Sequence, residues 1–182
     1  MAKAIDVAKY ILAYREARYH MTTAFALQKL LYYCQAWMLV AKGRPLFPEQ
    51  VIAWKHGPVV TEVSPYCKGR RLVFPREIPE ANTNNLTLSE RSLIDRVLSM
   101  FDKEEDENLG DTLEEMSHQE KPWASVAINQ VISPESMLNF YSSIQADPSI
   151  SHSAPIPDLA DISDRTFISA SDADFLEAFL AE

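Results

Sequence analysis

The residues best able to do chemistry in this chain are its histidines and cysteines, and their spacing limits what that chemistry could be. They are His20, His56, His118, His152, Cys34 and Cys67. No histidine stands at metal-ligand spacing from another histidine or a cysteine, and no Cys-x-x-Cys motif is present. A zinc site assembled in three dimensions from His56, Cys67 and His118 stays open. A thiolate–imidazole nucleophile is disfavoured because Cys34 lies on the apolar stripe of a predicted helix, where a thiol is buried and unreactive.

Other enzyme signatures are also missing from the sequence. Four scattered glycines cannot build a phosphate-binding loop, and no Gly-x-Ser-x-Gly motif occurs. Carboxylates are plentiful, but they cluster where helices are expected to end, and such groups are usually solvated. We therefore predict a protein without catalytic residues, bound metal or cofactor.

One basic cluster raises the possibility of nucleic-acid binding. It consists of Lys68, Arg70, Arg71 and Arg76. Cations of this kind can contact phosphates, but the cluster is short and no helix-turn-helix glycine turn accompanies it. A solvated loop is the favoured interpretation, and a nucleic-acid-binding regulator stays as an alternative.

Charge is divided unevenly along the 182 residues, whose formal net charge is −9. Residues 1–76 hold 12 of the 17 Lys and Arg residues but only 4 of the 26 acids. The two parts either neutralise each other within one fold or present basic and acidic faces to different partners. The length favours one domain with a proper core.

Nothing in the sequence suggests export or membrane insertion. The amino terminus is polar and amphipathic, without an apolar segment behind a basic start. The most apolar window, residues 24–41, is interrupted by Gln28, Lys29 and Gln35, so it predicts a buried helix and not a membrane span. We expect a cytoplasmic protein with free thiols.

Hydrophobic periodicity predicts a mainly α-helical fold with one minor β element. A helix is expected over residues 3–18, and a second from a Thr22 or Thr23 cap to Gly43. Residues 51–54 resemble a short strand, which residues 72–74 or Ile78 would pair with. Gly57-Pro58 then predicts a sharp turn into a short helix that begins near Thr61 or Ser64.

Capping signals place the later helices. Thr87 and Glu90 form one predicted capping box, and Asp111 and Glu114 form a second. The acidic run at 102–107 is expected to be a solvated helix end. Further helices are predicted over residues 122–128 and after Ser133-Pro134. Together these elements predict one compact helical domain over residues 1–145.

The composition changes after this domain. Residues 146–182 contain eight acids, one basic residue and six serines, which is typical of a linker or a disordered tail. A short amphipathic helix is predicted over residues 171–181, with Phe175, Leu176, Phe179 and Leu180 on one face. Such a helix either docks into a partner or packs back on its own domain.

Several motifs along the chain share their order with a known family. One is Leu27-Gln28-Lys29-Leu30-Leu31-Tyr32-Tyr33, followed by Gln35 and Trp37, which is similar to the signature helix of the Panacea domain of bacterial and phage toxin–antitoxin pairs. Ala53-Trp54-Lys55-His56-Gly57-Pro58-Val59 resembles its A-W-x-x-G-P-V element. Leu88-Ser89, Ser117-His118 and Pro122-Trp123 follow in the family's order. The resemblance covers roughly residues 4–142 and excludes the tail.

The resemblance implies an antitoxin that binds a protein toxin encoded by an adjacent gene and blocks it without catalysis. A SocA-like member would act as a proteolytic adaptor that delivers its toxin to a protease. Candidate partner-binding residues are Trp54, Lys55, His56, Tyr33, His118, Phe175, Leu176, Phe179 and Leu180. A structural role is expected for Leu27, Leu30, Leu31, Trp37, Gly57, Pro58 and Trp123. His118 has an alternative role, as a cap or hydrogen-bonding group inside the fold.

Overall fold

A computed structural model describes residues 1–164 and 173–174 of the chain. This part is mainly α-helical with a small sheet, as the sequence predicted. Its first elements are α1 (Ala4–Glu16), α2 (Ala24–Lys42), β1 (Val51–Trp54), β2 (Gly57–Val60) and α3 (Ser64–Cys67). They are followed by α4 (Leu88–Ser99), α5 (Asp106–Gln119), α6 (Lys121–Ala124), β3 (Val131–Ile132) and α7 (Pro134–Ala146).

Helix α2 lies at the centre of the molecule and is buried from Ala26 to Ala41 on every face. Helices α1, α4, α5 and α7 and strand β2 all pack against it. Its predicted ends are confirmed: the Thr23 hydroxyl accepts a hydrogen bond from Ala26 N, and Gly43 closes the helix with φ 65°. None of the described helices combines the length and apolarity needed to cross a membrane.

The polar residues of α2 anchor the backbone that surrounds it. The Gln35 side chain accepts hydrogen bonds from Leu46 N at 2.7 Å and Phe47 N at 3.2 Å, and it donates to Phe47 O at 2.9 Å. Gln28 accepts from Val60 N at 2.8 Å and donates to Val60 O at 3.4 Å. These residues interrupt the apolar pattern because buried backbone groups need partners.

The sheet is antiparallel with the strand order β2-β1-β3. Residues 72–74 and Ile78 do not pair with β1, so that prediction is wrong. Leu72 instead forms an isolated bridge with Thr23, just before α2. The predicted break at Gly57 is also wrong, because Gly57 and Pro58 begin β2 after a two-residue turn, whereas the predicted start of a short helix at Ser64 is confirmed. β1 therefore continues into a tight hairpin, not into a helix.

The third strand replaces part of a predicted helix. α6 ends at Ala124 and does not reach Ile128. The chain then turns, and Asn129 N donates to Ala53 O at 2.7 Å while Ala53 N donates to Gln130 O at 2.9 Å. A pairing of two residues with a distant strand leaves no periodicity in the sequence, so β3 could not be predicted.

Helix α5 begins at Asp106, five residues before the predicted capping box at Asp111. Asp106 is not a solvated end. Its carboxylate accepts hydrogen bonds from buried Arg15 at 2.7 Å and from Met21 N at 2.7 Å, and it lies 2.9 Å from His20 Nδ1. This ion pair ties α5 to the loop between α1 and α2.

Gly110 explains why the start of α5 was predicted too late in the chain, because a glycine usually marks a helix end. In the structure it lies inside α5, where the helix crosses the start of α2. A Cβ at this position would stand 3.1 Å from Phe25 Cβ, 3.1 Å from Thr23 Oγ1 and 3.3 Å from Ala26 N. Close helix packing, not termination, accounts for this glycine.

A buried carboxylate joins three distant parts of the chain. Glu120 is fully buried, and it accepts hydrogen bonds from Tyr141 at 2.5 Å, Tyr33 at 3.2 Å and Ala154 N at 3.1 Å. Burial raises the pKa of Glu120, which these hydrogen bonds oppose. Tyr33, predicted to contact a partner, therefore lies in the core and faces this carboxylate.

Residues 147–164 have no helix or strand, yet they cover part of the core. Ala154, Leu159 and Ile162 are buried, and Asp164 N donates to Ala41 O at 2.9 Å. Ala173 and Asp174 are helical and exposed. The tail residues predicted to bind a partner lie outside the described residues; they are Phe175, Leu176, Phe179 and Leu180.

Replacing Glu120 tests the buried carboxylate. Glu120→Ala removes the acceptor of three buried donors and should lower the free energy of unfolding by about 3 kcal/mol or more. Glu120→Gln keeps an acceptor and removes the buried charge, so its cost should be about 1 kcal/mol or less. Urea unfolding at pH 7 measures both, with Glu115→Ala on the exposed side of α5 as a control.

The pH dependence gives a second measure of the same group. Because its folded pKa is raised, the wild type should lose stability as pH rises from the ordinary glutamate pKa through the folded value. Glu120→Gln should lack this loss. Equal losses for the Ala and Gln variants, with unchanged pH profiles, would contradict a role for the carboxylate.

Candidate partner-binding groove

A groove of about 920 Å³ lies between the start of α2, the β1–β2 hairpin, α3 and the turn before β3. We call it the hairpin groove. Three of its large apolar side chains are unusually exposed: Phe25 is 53% exposed, Trp54 40% and Ile128 46%. Neighbouring apolar side chains of this size on one concave surface are typical of a binding site.

The hairpin geometry brings Trp54, Lys55 and His56 to the groove. Along β1, Val51 and Ala53 face the core, so the alternation turns Trp54 outward. Lys55 and His56 form the two-residue turn, and Gly57 follows with φ 92°. The left-handed backbone at Gly57 favours glycine and allows the turn to be this short.

Helix α6 fixes the hairpin in place. Trp123 Nε1 donates to Trp54 O at 3.1 Å, and its ring stacks on His118 with 3.9 Å between ring centroids. Trp123 is only half-buried, so its predicted place in the core is correct in part. Its hydrogen bond holds the backbone of Trp54, which lines the groove.

The charge of the hairpin groove is one-sided. Among the described residues no aspartate or glutamate lines it, although the chain as a whole carries a formal net charge of −9. Its cationic residues are Lys29, Lys55, Lys68 and Arg70, with His56 beside them. The groove is therefore an apolar surface with a positive rim.

Lys29 reaches the floor of the groove from inside the protein. Its residue is 1% exposed, and its ammonium group donates to Pro58 O at 3.3 Å. Burial lowers the pKa of Lys29 to about 8, and nearby Glu114 opposes that shift. A Cβ at Gly57 would stand 2.7 Å from Lys29 Cε, so the glycine makes room for this side chain.

A second, smaller hollow of about 580 Å³ adjoins the groove. The Phe25 and His56 rings, 6.1 Å apart and edge to face, line both hollows and separate them. This hollow has acidic walls from Asp111, Glu114 and Glu115, and His56 Nδ1 lies 3.1 Å from Glu114 Oε1. Opposite charges thus lie on the two sides of one ring pair.

His118 lines the smaller hollow and not the hairpin groove. Its Nε2 atom is buried and has no hydrogen-bond partner among the described residues. Burial lowers the pKa of His118, which favours the neutral ring that stacks on Trp123. The structure thus gives His118 a stacking contact within the fold.

Of the predicted basic cluster, Lys68 and Arg70 line the groove, and Arg71 and Arg76 lie outside it. Arg71 lies 3.7 Å from Glu107, and Arg76 stacks on Phe74, so only half of the basic cluster reaches the groove.

Cys34 is fully buried, and burial raises its pKa. The predicted structural residues Leu27, Leu30, Leu31 and Trp37 are all fully buried. Within the described ranges, no cluster of His, Cys, Asp and Glu could hold a metal ion.

Sequence reasoning missed Phe25, Lys29 and Ile128 as groove residues. Phe25 offered a signal, because it stands off the apolar stripe of α2 and an exposed phenylalanine on a helix is unusual. In the sequence Lys29 is an interruption of an apolar window and part of the signature-helix motif, and neither feature indicates a groove residue. Ile128 had been assigned to a helix that ends four residues earlier.

Comparison with known proteins identifies the family. A family model described as antitoxin SocA-like, Panacea domain, matches residues 27–124, which is more than half of the chain. No curated protein and no solved structure shows significant similarity to this chain. The matched span contains most of α2, the hairpin and the helices from α3 to α6. The chain therefore belongs to the family of SocA-like antitoxins with a Panacea domain.

Proposed function

We propose that this protein neutralises a toxin encoded by an adjacent gene by binding it directly through the hairpin groove, without catalysis. The family supports an antitoxin role in general. The observation that carries the choice of surface is the group of exposed apolar side chains, Phe25, Trp54 and Ile128, in one concave site. A cytoplasmic place of action, with no cofactor, follows from the same proposal.

Physical considerations favour this surface as an anchor site. Aromatic and basic residues dominate the binding energy of protein interfaces. Burying Phe25 and Trp54 against a partner would contribute roughly 1.5–3 kcal/mol for each large side chain. The hairpin is already held by Gln28 and Trp123, so little conformational freedom is lost on binding.

Delivery of the toxin to a protease is a second route to neutralisation. It begins with the same binding step and differs in its consequence, because the toxin's lifetime would shorten when this protein is present. A nucleic-acid-binding regulator has less support, because Arg71 and Arg76 point their charges to contacts of their own. A continuous basic surface is what phosphate binding requires.

The acidic tail is proposed as a second contact. Residues 165–182 contain Asp172, Asp174, Glu177 and Glu182 and only one basic residue, Arg165. A toxin that acts on nucleic acid would carry a basic site, which an acidic segment could occupy by mimicking phosphate charge. The apolar residues Phe175, Leu176, Phe179 and Leu180 would supply the accompanying burial.

Substitutions in the groove test the proposed surface. The double variant Phe25→Ala, Trp54→Ala should lose growth rescue and co-purification when it is expressed with the adjacent gene's product. The expected loss of affinity is 100-fold or more, by the usual order of magnitude for two anchor residues. Leu88→Ala is the matched control, because Leu88 is apolar, 85% exposed and outside the groove.

The control and the variant should have similar unfolding temperatures, since none of the three side chains is buried in the core. Full rescue by the double variant would contradict the groove as the contact surface. Shortened toxin lifetime in a pulse-chase experiment with the wild type would assign delivery to a protease, and an unchanged lifetime would assign blocking.

Deletion of residues 165–182 tests the tail separately. This deletion keeps Asp164, whose backbone N–H donates a hydrogen bond to Ala41 O at the end of α2. We expect stable protein with neutralisation weakened about tenfold or more, measured as the expression level needed for rescue. Phe175→Ala with Phe179→Ala should reproduce the loss if apolar burial is responsible. A truncated protein with full activity would rule out this role.

A further inference from the structure

We propose that the hairpin groove binds a toxin segment that carries a carboxylate beside an apolar side chain, and that the carboxylate forms an ion pair with Lys29. This inference rests on the proposed function and deepens it by naming the chemistry of the partner. Its basis is a buried cation with one hydrogen bond and no ion pair among the described residues.

The surroundings of Lys29 compensate its charge only in part, through the field of Glu114, which lies beyond ion-pair distance. Pro58 O is its one hydrogen-bond acceptor among the described residues, although an ammonium group has three N–H donors. No carboxylate in the described ranges lies within ion-pair distance of it. Gly57 leaves the space that its side chain needs, since a Cβ there would stand 2.7 Å from Lys29 Cε. A buried cation of this kind is costly unless something pairs with it.

The groove around Lys29 selects an acidic, apolar occupant. Lys55, Lys68 and Arg70 line the groove, and no acidic side chain of residues 1–164 or 173–174 does. Phe25 and Trp54 supply the apolar walls. A protein segment with an acidic and an apolar residue matches both features. A nucleic-acid backbone would pair with exposed cations and would gain nothing from a buried one.

The Phe25 and His56 rings lie beside the route by which a partner's carboxylate would reach Lys29. The Lys29 ammonium lies 6.0 Å from the centre of the Phe25 ring, and the His56 side chain is 61% exposed. Both rings lie at the surface and can rotate without unpacking the core. The charged and titratable groups that face Lys29 are Glu114 and His118 from α5 and His56 from the hairpin.

Calorimetric titration of the full-length protein with the purified toxin measures the effect of Lys29 on binding. Lys29→Met should weaken binding about tenfold or more, because the partner's carboxylate would be buried without a counter-charge. Lys68→Met is the matched control, since Lys68 lines the same groove but is exposed. It should change the affinity less than threefold, as expected for a rim charge.

Proton uptake provides a readout that needs no substitution. The free protein has a Lys29 pKa of about 8, so at pH 8 about half of this group is neutral, and pairing with a carboxylate would protonate it. Titrations at pH 8 in phosphate and in Tris should therefore show uptake of up to about half a proton. Lys29→Met should abolish the uptake, which separates Lys29 from His56 and His118.

Each remaining outcome decides against the inference in a distinguishable way. A wild-type complex with no proton uptake, whose affinity Lys29→Met leaves unchanged, would overturn the ion pair and leave the proposed function standing. No complex with the wild type would overturn both. Salt-dependent binding of a single-stranded oligonucleotide that Lys29→Met abolishes, without toxin, would make nucleic acid the occupant and overturn the proposal.

Discussion

Helix α2 is enclosed by protein on every side, and its amide and ammonium side chains, Gln28, Lys29 and Gln35, need partners there. Each of them is paired with backbone groups of the chain that follows the helix. An unpaired buried polar group costs several kcal/mol. The positions of the loop after α2 and of strand β2 are consequently set by the central helix.

That constraint also determines the surface on which we place the function. Gln28 holds β2 at Val60 and Lys29 holds it at Pro58, so the hairpin stands at a fixed distance from Phe25. The groove exists because the hairpin is tied to α2 at its base and to α6 through Trp123 at its tip. A binding surface built on such supports is preorganised, and its affinity does not have to offset the ordering of a loop.

The sequence predicted the features that depend on neighbouring residues. Thr23, Gly43 and the Thr87–Glu90 box placed helix ends correctly, because a cap needs only a few residues in sequence. Pairings between distant segments could not be predicted. Asp106 and Tyr33 acquire their roles from partners 80 or more residues away, and Glu120 from partners 21 to 87 residues away. Nothing local distinguishes these three from ordinary surface or rim residues.

The candidate site shows the same division. Trp54, Lys55 and His56 were recognised because they form one continuous motif, and the structure brings them together at the groove. Phe25 and Ile128 come from separate elements, and Lys29 is distinguished by its burial with a single hydrogen bond, which no spacing pattern records. Functional surfaces that combine several elements are therefore only partly visible in one sequence.

Hydroxyl-radical footprinting of the free protein and of its complex with the adjacent gene's product tests the central claim most directly. If the groove supported by α2 is the contact surface, Phe25 and Trp54 should lose reactivity in the complex. Leu88 and Tyr19, which are 85% and 98% exposed elsewhere, should keep theirs. Protection of Leu88 or Tyr19 with Phe25 and Trp54 still reactive would contradict the account.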